Sequence, residues 1–588
     1  MNKSKPKILK LIGKTIVYAF AGFGIIFILM LCVVLGLMSP KTKLSAVPTK
    51  AILSLDFNLS YAEMRQDDLF AEFTNQSVYS VFDLVRAINV AATDNKVKAI
   101  VANLNETNLG LAQIQDISEA LRYFKSKGKK TYVFSSSIGS FGQGTKEYYL
   151  ATLFDEIWLQ PHADIGITGI NIETPFFKDI FQKIGIEPEF YTRYEYKTAV
   201  ASLLNADFTP TYKEELERLG QGLYQQLVKG IAFYRKLEDS TVENYINQAP
   251  VFASDALEKR LIDKIGYRYE LQKTLQKEYE DAELYDMTDY MAHILDSDSK
   301  DMPQIAFMVL EGVIESGESS NNPLNDAIIG SETILKQIEE LRRQENLKGL
   351  VVRINSPGGS YTASDEIRAA LIGLKNEKNI PIVVSMSNYA ASGGYFISLA
   401  GDYILADPAT ITGSIGVLGG KIVVKGLMDK LNINWGEVKF GENAGILSTN
   451  HKFSKSEREV FEKSLDEVYD DFTNKVSEAR KIDATQMDKI ARGRIWLAKN
   501  ALDVKLVDEL GGLQKAILKA KELAKIELNK PFALQYYPKR ETFQEKLTKF
   551  IESGGNLPML KALEDMDELK VLYRLRHNTI LPPMVVRM

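Results

Sequence analysis

Val97-Lys-Ala-Ile-Val101 and Leu347-Lys-Gly-Leu-Val351 are two renderings of one short apolar strand, 250 residues apart (347 − 97). The same offset carries Val133 onto Val383. After an adjustment in the following loop, an offset of 247 aligns Tyr148 to Asp155 with Tyr395 to Asp402, and Gly166 and Gly169 with Gly413 and Gly416. A register held over so many positions marks a duplication.

Outward from these strands, each half alternates apolar runs with helical patterns. The first has Ala51-Ile-Leu-Ser-Leu55, Val81 to Ala91, Ala99 to Leu104, Ile114 to Phe124 and Thr131-Tyr-Val-Phe134; the second has Ile305 to Leu310, Thr333 to Arg343, Gly349 to Ile354, Ser364 to Leu374 and Pro381-Ile-Val-Val384. Strands separated by helical stretches predict βαβ units around a mainly parallel sheet. The expected fold class is therefore α/β, as two tandem repeats over 48–276 and 303–526. Residues 277–302, rich in Glu, Asp and Tyr, read as an acidic connector, and 527–588 as a C-terminal tail.

Residues 1–47 read as a cytoplasmic N-terminus and a membrane anchor. Five lysines, Lys3, Lys5, Lys7, Lys10 and Lys14, precede an uncharged run from Thr15 to Met38, and only Lys41 and Lys43 follow closely. Crossing a bilayer takes about 20 apolar residues. A cleaved signal peptide would have a shorter apolar core and a small-x-small site, for which Gly36-Leu-Met38 is a poor match. The excess of lysine before the span puts the N-terminus in the cytoplasm and the repeats on the far side.

With 588 residues, 45% hydrophobic and 25% charged, the composition is that of an ordinary globular protein, and the net charge of −5 without a basic stripe argues against nucleic-acid binding. Cys32 is the sole cysteine, which excludes intramolecular disulfides and a Cys-rich zinc site. Four scattered histidines, His162, His293, His451 and His577, offer little for a metal. No metal or organic cofactor is expected.

The halves differ where chemistry should sit. Pro381-Ile-Val-Val-Ser385 reads as a buried strand and Tyr395 to Ala400 as the start of a helix, so Ala391-Ser-Gly-Gly394 is the turn between them, with Ser392 at its apex. In the first half Ser392 faces Thr145, and Gly393-Gly394 faces Lys146-Glu147; Asn355-Ser-Pro-Gly-Gly359 faces Asn105-Glu-Thr-Asn-Leu109. Conversely, Lys197 in Tyr194-Glu-Tyr-Lys-Thr-Ala199 faces Ala444. A serine hydroxyl needs a base, usually histidine. None of the four histidines has a motif-like setting; the nearest, His451, lies in a hydrophilic run. A lysine can substitute when burial lets it lose its proton, and Lys197 has apolar company. In isolation either residue also reads as an ordinary turn serine or a solvated lysine.

Taken together, Arg353-Ile-Asn-Ser-Pro-Gly-Gly359, Ala391-Ser-Gly-Gly-Tyr395, Thr412-Gly-Ser-Ile-Gly-Val417 and Tyr196-Lys-Thr-Ala199 make the chain resemble the long-form, membrane-anchored signal peptide peptidase A family, from the anchor to about Ile526. The glycine and serine elements alone are shared more loosely with the Clp protease and crotonase superfamily. The resemblance implies two ClpP/crotonase-like repeats and a dyad divided between them: Ser392 as nucleophile and Lys197 as general base. It implies that Ser414 orients the lysine and that Gly393, with Gly358 or Gly359, forms the oxyanion hole. It further implies hydrolysis of cleaved signal peptides and other short hydrophobic peptides at the bacterial inner membrane, on its extracytoplasmic side, by a homotetramer. Two other classes compete: a crotonase-type acyl-CoA enzyme, disfavoured by the anchor and the lack of a basic CoA-binding loop, and a non-catalytic scaffold, disfavoured by the complementary serine and lysine.

Overall fold

The computed structural model describes residues 22, 24, 46–64, 78–140, 142–295, 302–320, 327–527, 530–539 and 585–587. The expected anchor at 15–38 lies outside them apart from Gly22 and Gly24, as does most of the tail after 539. Among the described residues no helix is long and apolar enough to cross a membrane.

Each half builds a parallel sheet. In the first, strands run in the order Lys264–Ile265, Glu156–Leu159, Lys130–Ser135, Val97–Asn103, Ala51–Asp56, Glu283–Asp286. In the second, Ile382–Ala391, Leu347–Ser356 and Gln304–Glu311 form the centre, Ala533–Tyr537 closes one edge, and Tyr403–Ala406 with Ile411–Gly413 continues the other. Only the outer strand Ile495–Leu497 pairs antiparallel, against Ile411–Gly413. Leu350, Val351 and Val352 are wholly buried, as an uninterrupted apolar run in a sheet covered on both faces should be.

The repeats stack in one direction. Helices Val81–Thr93 and Leu111–Ser126 lie between the sheets, sharing one core with Leu53, Ile100 and Val133 of the first and with Val309, Val351 and Val383 of the second. Phe82 stacks on Phe307 with ring centroids 4.4 Å apart. The outer face of the first sheet is covered by Leu271 and Leu275 of helix Arg268–Glu278. The outer face of the second is covered by helices Ser331–Arg342 and Tyr361–Lys378.

Duplicated polar contacts hold both halves in the same shape. Tyr148 donates to the Leu261 carbonyl and Tyr395 to that of Leu506; Arg235 pairs with Asp263 and Arg480 with Asp508. Asp155 and Asp402 each accept an N–H from the start of a central strand, from Thr131 and Ile382. Helices of 26 residues, Pro210–Arg235 and Lys455–Arg480, follow in each half, capped by Thr209 and Ser454. Such a cap stabilises a helix by about 1 kcal/mol.

Of the expected connector 277–302, residues 277–295 belong to the first repeat, and 296–301 lie outside the described residues. Lys277 and Glu278 end a helix, Glu283–Asp286 pairs with Ala51–Ser54 as the edge strand, and Met287, Tyr290 and Met291 of the next helix enter the core. The stretch is polar because an edge strand buries little: of Glu283–Asp286 only Tyr285 is buried. Its counterpart Ala533–Tyr537 extends the second repeat beyond 526 in the same way.

Between the halves runs an antiparallel ribbon, Glu187–Arg193 of the first against Val417–Val423 of the second, from Glu187 opposite Val423 to Arg193 opposite Val417. The ribbon brings the loop after Arg193 to the loop before Val417.

Candidate active site

Ser392 stands at the end of the central strand Ile382–Ala391 and caps the short helix Gly393–Ser398. Its φ of +52° is one that residues other than glycine seldom adopt. The conformation is held from outside, by the bond from the Ser392 N–H to the Gly413 carbonyl at 2.8 Å and by the pairing of Ala390 and Ala391 with Thr412 and Gly413. Such a backbone costs on the order of 1–3 kcal/mol and persists only where its surroundings enforce it.

Lys197 arrives on the loop after the Glu187–Arg193 strand. Its Nζ lies 3.0 Å from Ser392 Oγ, 3.0 Å from Ser414 Oγ and 3.0 Å from the Ser414 carbonyl. The side chain is 6% exposed. Burial pushes its ammonium down to about 8, against the opposing pull of Glu215. Nζ donates to the Ser414 carbonyl, which fixes its direction, and its lone pair, when neutral, is free for the Ser392 proton.

Of the two adjacent glycines, each has a distinct place. The Gly358 N–H donates to Ser356 Oγ at 3.2 Å, and its carbonyl accepts from Ile314 N–H. A Cβ on Gly358, where φ is +112°, would stand 2.7 Å from Ser392 Cβ. Gly358 thus lets the chain pass close over the serine. The N–H groups of Gly359 and Gly393 have no acceptor among the described residues. All six residues picked out in the sequence, Ser392, Lys197, Ser414, Gly358, Gly359 and Gly393, therefore meet at one place.

Among the described residues the first repeat has no equivalent centre. Thr145, opposite Ser392 in the repeat register, is wholly buried and engaged with Gly169, accepting its N–H at 2.8 Å and donating to its carbonyl at 3.1 Å. His451 takes no part; its ring lies beside Glu437 and Glu457. Among the described residues no group of three or more His, Cys, Asp or Glu side chains could hold a metal ion.

Two residues at the site were not singled out in the sequence. Glu215, 1% exposed, accepts from Thr198 Oγ1 at 3.1 Å and from the Ile495 N–H at 2.8 Å, so it ties the residue after Lys197 to the strand beside Ser414. Burial pushes its carboxyl up to about 7, while the Ile495 and Thr198 hydrogen bonds, Arg218 and Arg494 pull the other way. Its signal was a carboxylate on the apolar stripe Tyr212, Leu216, Leu219, Leu223 of a helix. Gly493, with φ of +88°, lies against the Lys197 backbone: a Cβ there would be 2.4 Å from Lys197 N. Nothing in Arg492-Gly-Arg494 announces this contact.

The geometry accords with what the chain is similar to. The model of peptidase family S49 matches residues 104–281 and 374–527, one match in each repeat. Protease 4 of Salmonella typhi is 30% identical over 499 residues, covering 83% of this chain and 78% of that protein. Protease 4 of Haemophilus influenzae is 29% identical, covering 84% and 83%. The chloroplastic serine protease SPPA of Arabidopsis thaliana is 30% identical, covering 76% of this chain and 66% of its own length. With the family model matched in both repeats and relatives aligned along most of its length, the chain belongs to peptidase family S49 and is a serine peptidase.

Proposed function

We propose that the chain is a membrane-anchored endopeptidase in which Ser392 is the nucleophile and Lys197 the general base. The observation that carries this reading is the 3.0 Å contact between Lys197 Nζ and Ser392 Oγ, with the lysine buried and its pKa lowered to about 8. Neutral Lys197 takes the Ser392 proton as Oγ attacks the peptide carbonyl. The oxyanion is met by the free N–H groups of Gly359 and Gly393, each such donor being worth about 3 kcal/mol. Lys197 then protonates the leaving amine, and water, deprotonated by the same lysine, releases the acyl group from Ser392. Ser414 keeps Nζ in line throughout.

The repeats are of the ClpP/crotonase type, and the substrates are cleaved signal peptides and other short hydrophobic peptides. Residues 15–38 anchor the chain in the bacterial inner membrane with its N-terminus in the cytoplasm and its repeats on the extracytoplasmic side, where four copies assemble. Family membership and the uncharged run after five lysines support these points.

Hydrolysis of a fluorogenic hydrophobic peptide by the parent, Ser392→Ala and Lys197→Ala separates this reading from its rivals. Both variants should lose at least about 10³-fold in kcat, since members of one catalytic unit fail together. Activity surviving either substitution sinks the dyad.

A further inference from the structure

The glycine turn over Ser392 hangs on a segment that the first repeat holds. Residues 358–360 are suspended from the stretch that follows strand Gln304–Glu311. The Ile314 N–H donates to the Gly358 carbonyl at 2.9 Å, and the Ser360 N–H to the Ile314 carbonyl at 2.8 Å. Gly359 lies so near that a Cβ there would be 2.1 Å from the Ile314 carbonyl oxygen. The Gly312 N–H adds a bond to the Asn355 carbonyl at 3.0 Å. Whatever fixes residues 311–314 therefore fixes the direction of the Gly359 N–H.

Glu311 begins this segment, and its carboxylate is engaged with three donors. It accepts the Glu63 N–H at 3.2 Å and the Met64 N–H at 3.1 Å, both from the first repeat, and Asn355 Nδ2 at 3.3 Å. Glu63 is a firm base: its carbonyl accepts the hydroxyls of Ser80 at 3.3 Å and Tyr536 at 3.1 Å, and its carboxylate pairs with Arg353 at 2.9 Å. Asn355 opens the glycine turn and also reaches the serine strand. Between the pairs Ile354–Met386 and Ser356–Ala390, the residues Ser387, Asn388 and Tyr389 stand opposite Asn355 alone, and the Tyr389 N–H donates to Asn355 Oδ1 at 3.2 Å.

The first repeat shows which part of this arrangement goes with the dyad. There Asn105 accepts the Ser136 N–H at 2.9 Å, so the bond from asparagine to the next strand is scaffold common to both halves. Strand pairing sets Gln304 where Ala51 stands, an offset of 253 (304 − 51), which carries Glu311 onto Asn58. Asn58 is exposed, and its Oδ1 braces its own repeat's turn, accepting the Asn105 and Glu106 N–H groups at 2.9 and 3.2 Å. The position that serves its own turn in one half reaches across to the other repeat in the half that carries the serine.

We propose that Glu311 is a positioning residue for the oxyanion hole: it clamps the glycine turn to residues 63–64, so that the repeat supplying the lysine also sets the aim of the oxyanion donors. The inference rests on the reading of Ser392 as nucleophile with Gly359 and Gly393 as donors. All three partners of Glu311 donate, so the clamp requires the charged carboxylate. Burial and the neighbouring Glu63 push this carboxyl up to about 7, while the hydrogen bonds from Glu63, Met64 and Asn355 pull the other way.

The test uses the full chain in mild detergent at pH 9, where Glu311 is ionised. It compares hydrolysis of a fluorogenic hydrophobic peptide with inhibition by a hydrophobic peptide aldehyde, whose adduct with a serine places its oxygen in the oxyanion hole. Glu311→Gln keeps the shape but turns an amide donor toward donors. kcat should fall by about 10²-fold, as for the loss of one oxyanion donor, with KM within about twofold of the parent's; aldehyde binding should weaken by the same factor as kcat. Glu311→Asp keeps the charge but falls one methylene short of the first repeat, and should show the same pattern. Asn58→Ala should match the parent. Parental kcat in either Glu311 variant overturns the clamp, as does a fall in kcat that leaves aldehyde binding intact or is matched by a rise in KM. Should Ser392→Ala bind the aldehyde as tightly as the parent, the nucleophile reading fails instead, whatever the Glu311 variants do.

Discussion

Ser392 and Lys197 owe their reactivity to constraints that neither repeat supplies alone. The serine is held at positive φ by the strand carrying Gly413; the lysine is stripped of water by loops from both halves. Lys197 must be neutral to act, and burial brings its pKa from the ordinary lysine value to about 8. kcat/KM should therefore rise about tenfold per pH unit below that value and level off above it. Glu215 acts in the opposite direction, its charge favouring the protonated lysine. Glu215→Gln removes that charge, so the rising limb should move to lower pH, read from a kcat/KM profile between pH 6 and 10. An unmoved limb would mean that Glu215 serves only as a brace for Thr198 and Ile495. Ser392 and Lys197 were legible because their residue types are chemically exceptional in their setting. Glu215 was not, because a carboxylate on an apolar stripe acquires meaning only from what packs against it.

At the scale of elements, the alternation of strands and helices and their duplication could be read directly, since periodicity is local. The ribbon of Glu187–Arg193 with Val417–Val423 could not: its partners are more than two hundred residues apart, and strand pairing across repeats leaves no local pattern. The same limit hid Glu283–Asp286, whose exposed face looks like a linker. The ribbon delivers the lysine loop, and the turn at Gly493 presses that loop into place. Gly493→Ala would bring a Cβ within 2.4–2.7 Å of Lys197 backbone atoms, at a φ that already disfavours alanine. Backbone cannot swing aside as a side chain can, so Lys197 must shift. Misplacement by about 1 Å can cost about 10²-fold. We expect kcat to fall by about that factor while the thermal midpoint drops only a few degrees. Activity equal to the parent's would show that the loop tolerates the shift.

For the molecule as a whole, the question is what holds one repeat on the other so that a divided site stays aligned. The shared apolar core does most of this, but it contains one costly feature. Arg353, on the central strand leading to the glycine turn, is wholly buried among carboxylates from both repeats: Glu63 at 2.9 Å and Asp116 from the first, and Asp407 at 3.9 Å from the second. Ser385 adds a further acceptor at 2.8 Å. Burial, together with the neighbouring Asp116, raises the Asp407 carboxyl well above its usual range. Removing the cation leaves buried carboxylates without a counter-charge, a loss on the order of 3–5 kcal/mol. Arg353→Met keeps much of the volume and should lower the thermal midpoint. The loss has a predictable pH dependence. Without Arg353, Glu63 and Asp116 would be held protonated in the folded chain above their unfolded pKa of about 4. Groups whose folded pKa is raised favour folding at low pH and lose that contribution as pH rises through the folded value. The variant should thus lie nearer the parent at pH 5 than at pH 8, and adding Glu63→Gln and Asp116→Asn should flatten the difference. Equal losses at both pH values would mean that Arg353 contributes through packing and directed hydrogen bonds, with its charge of little account.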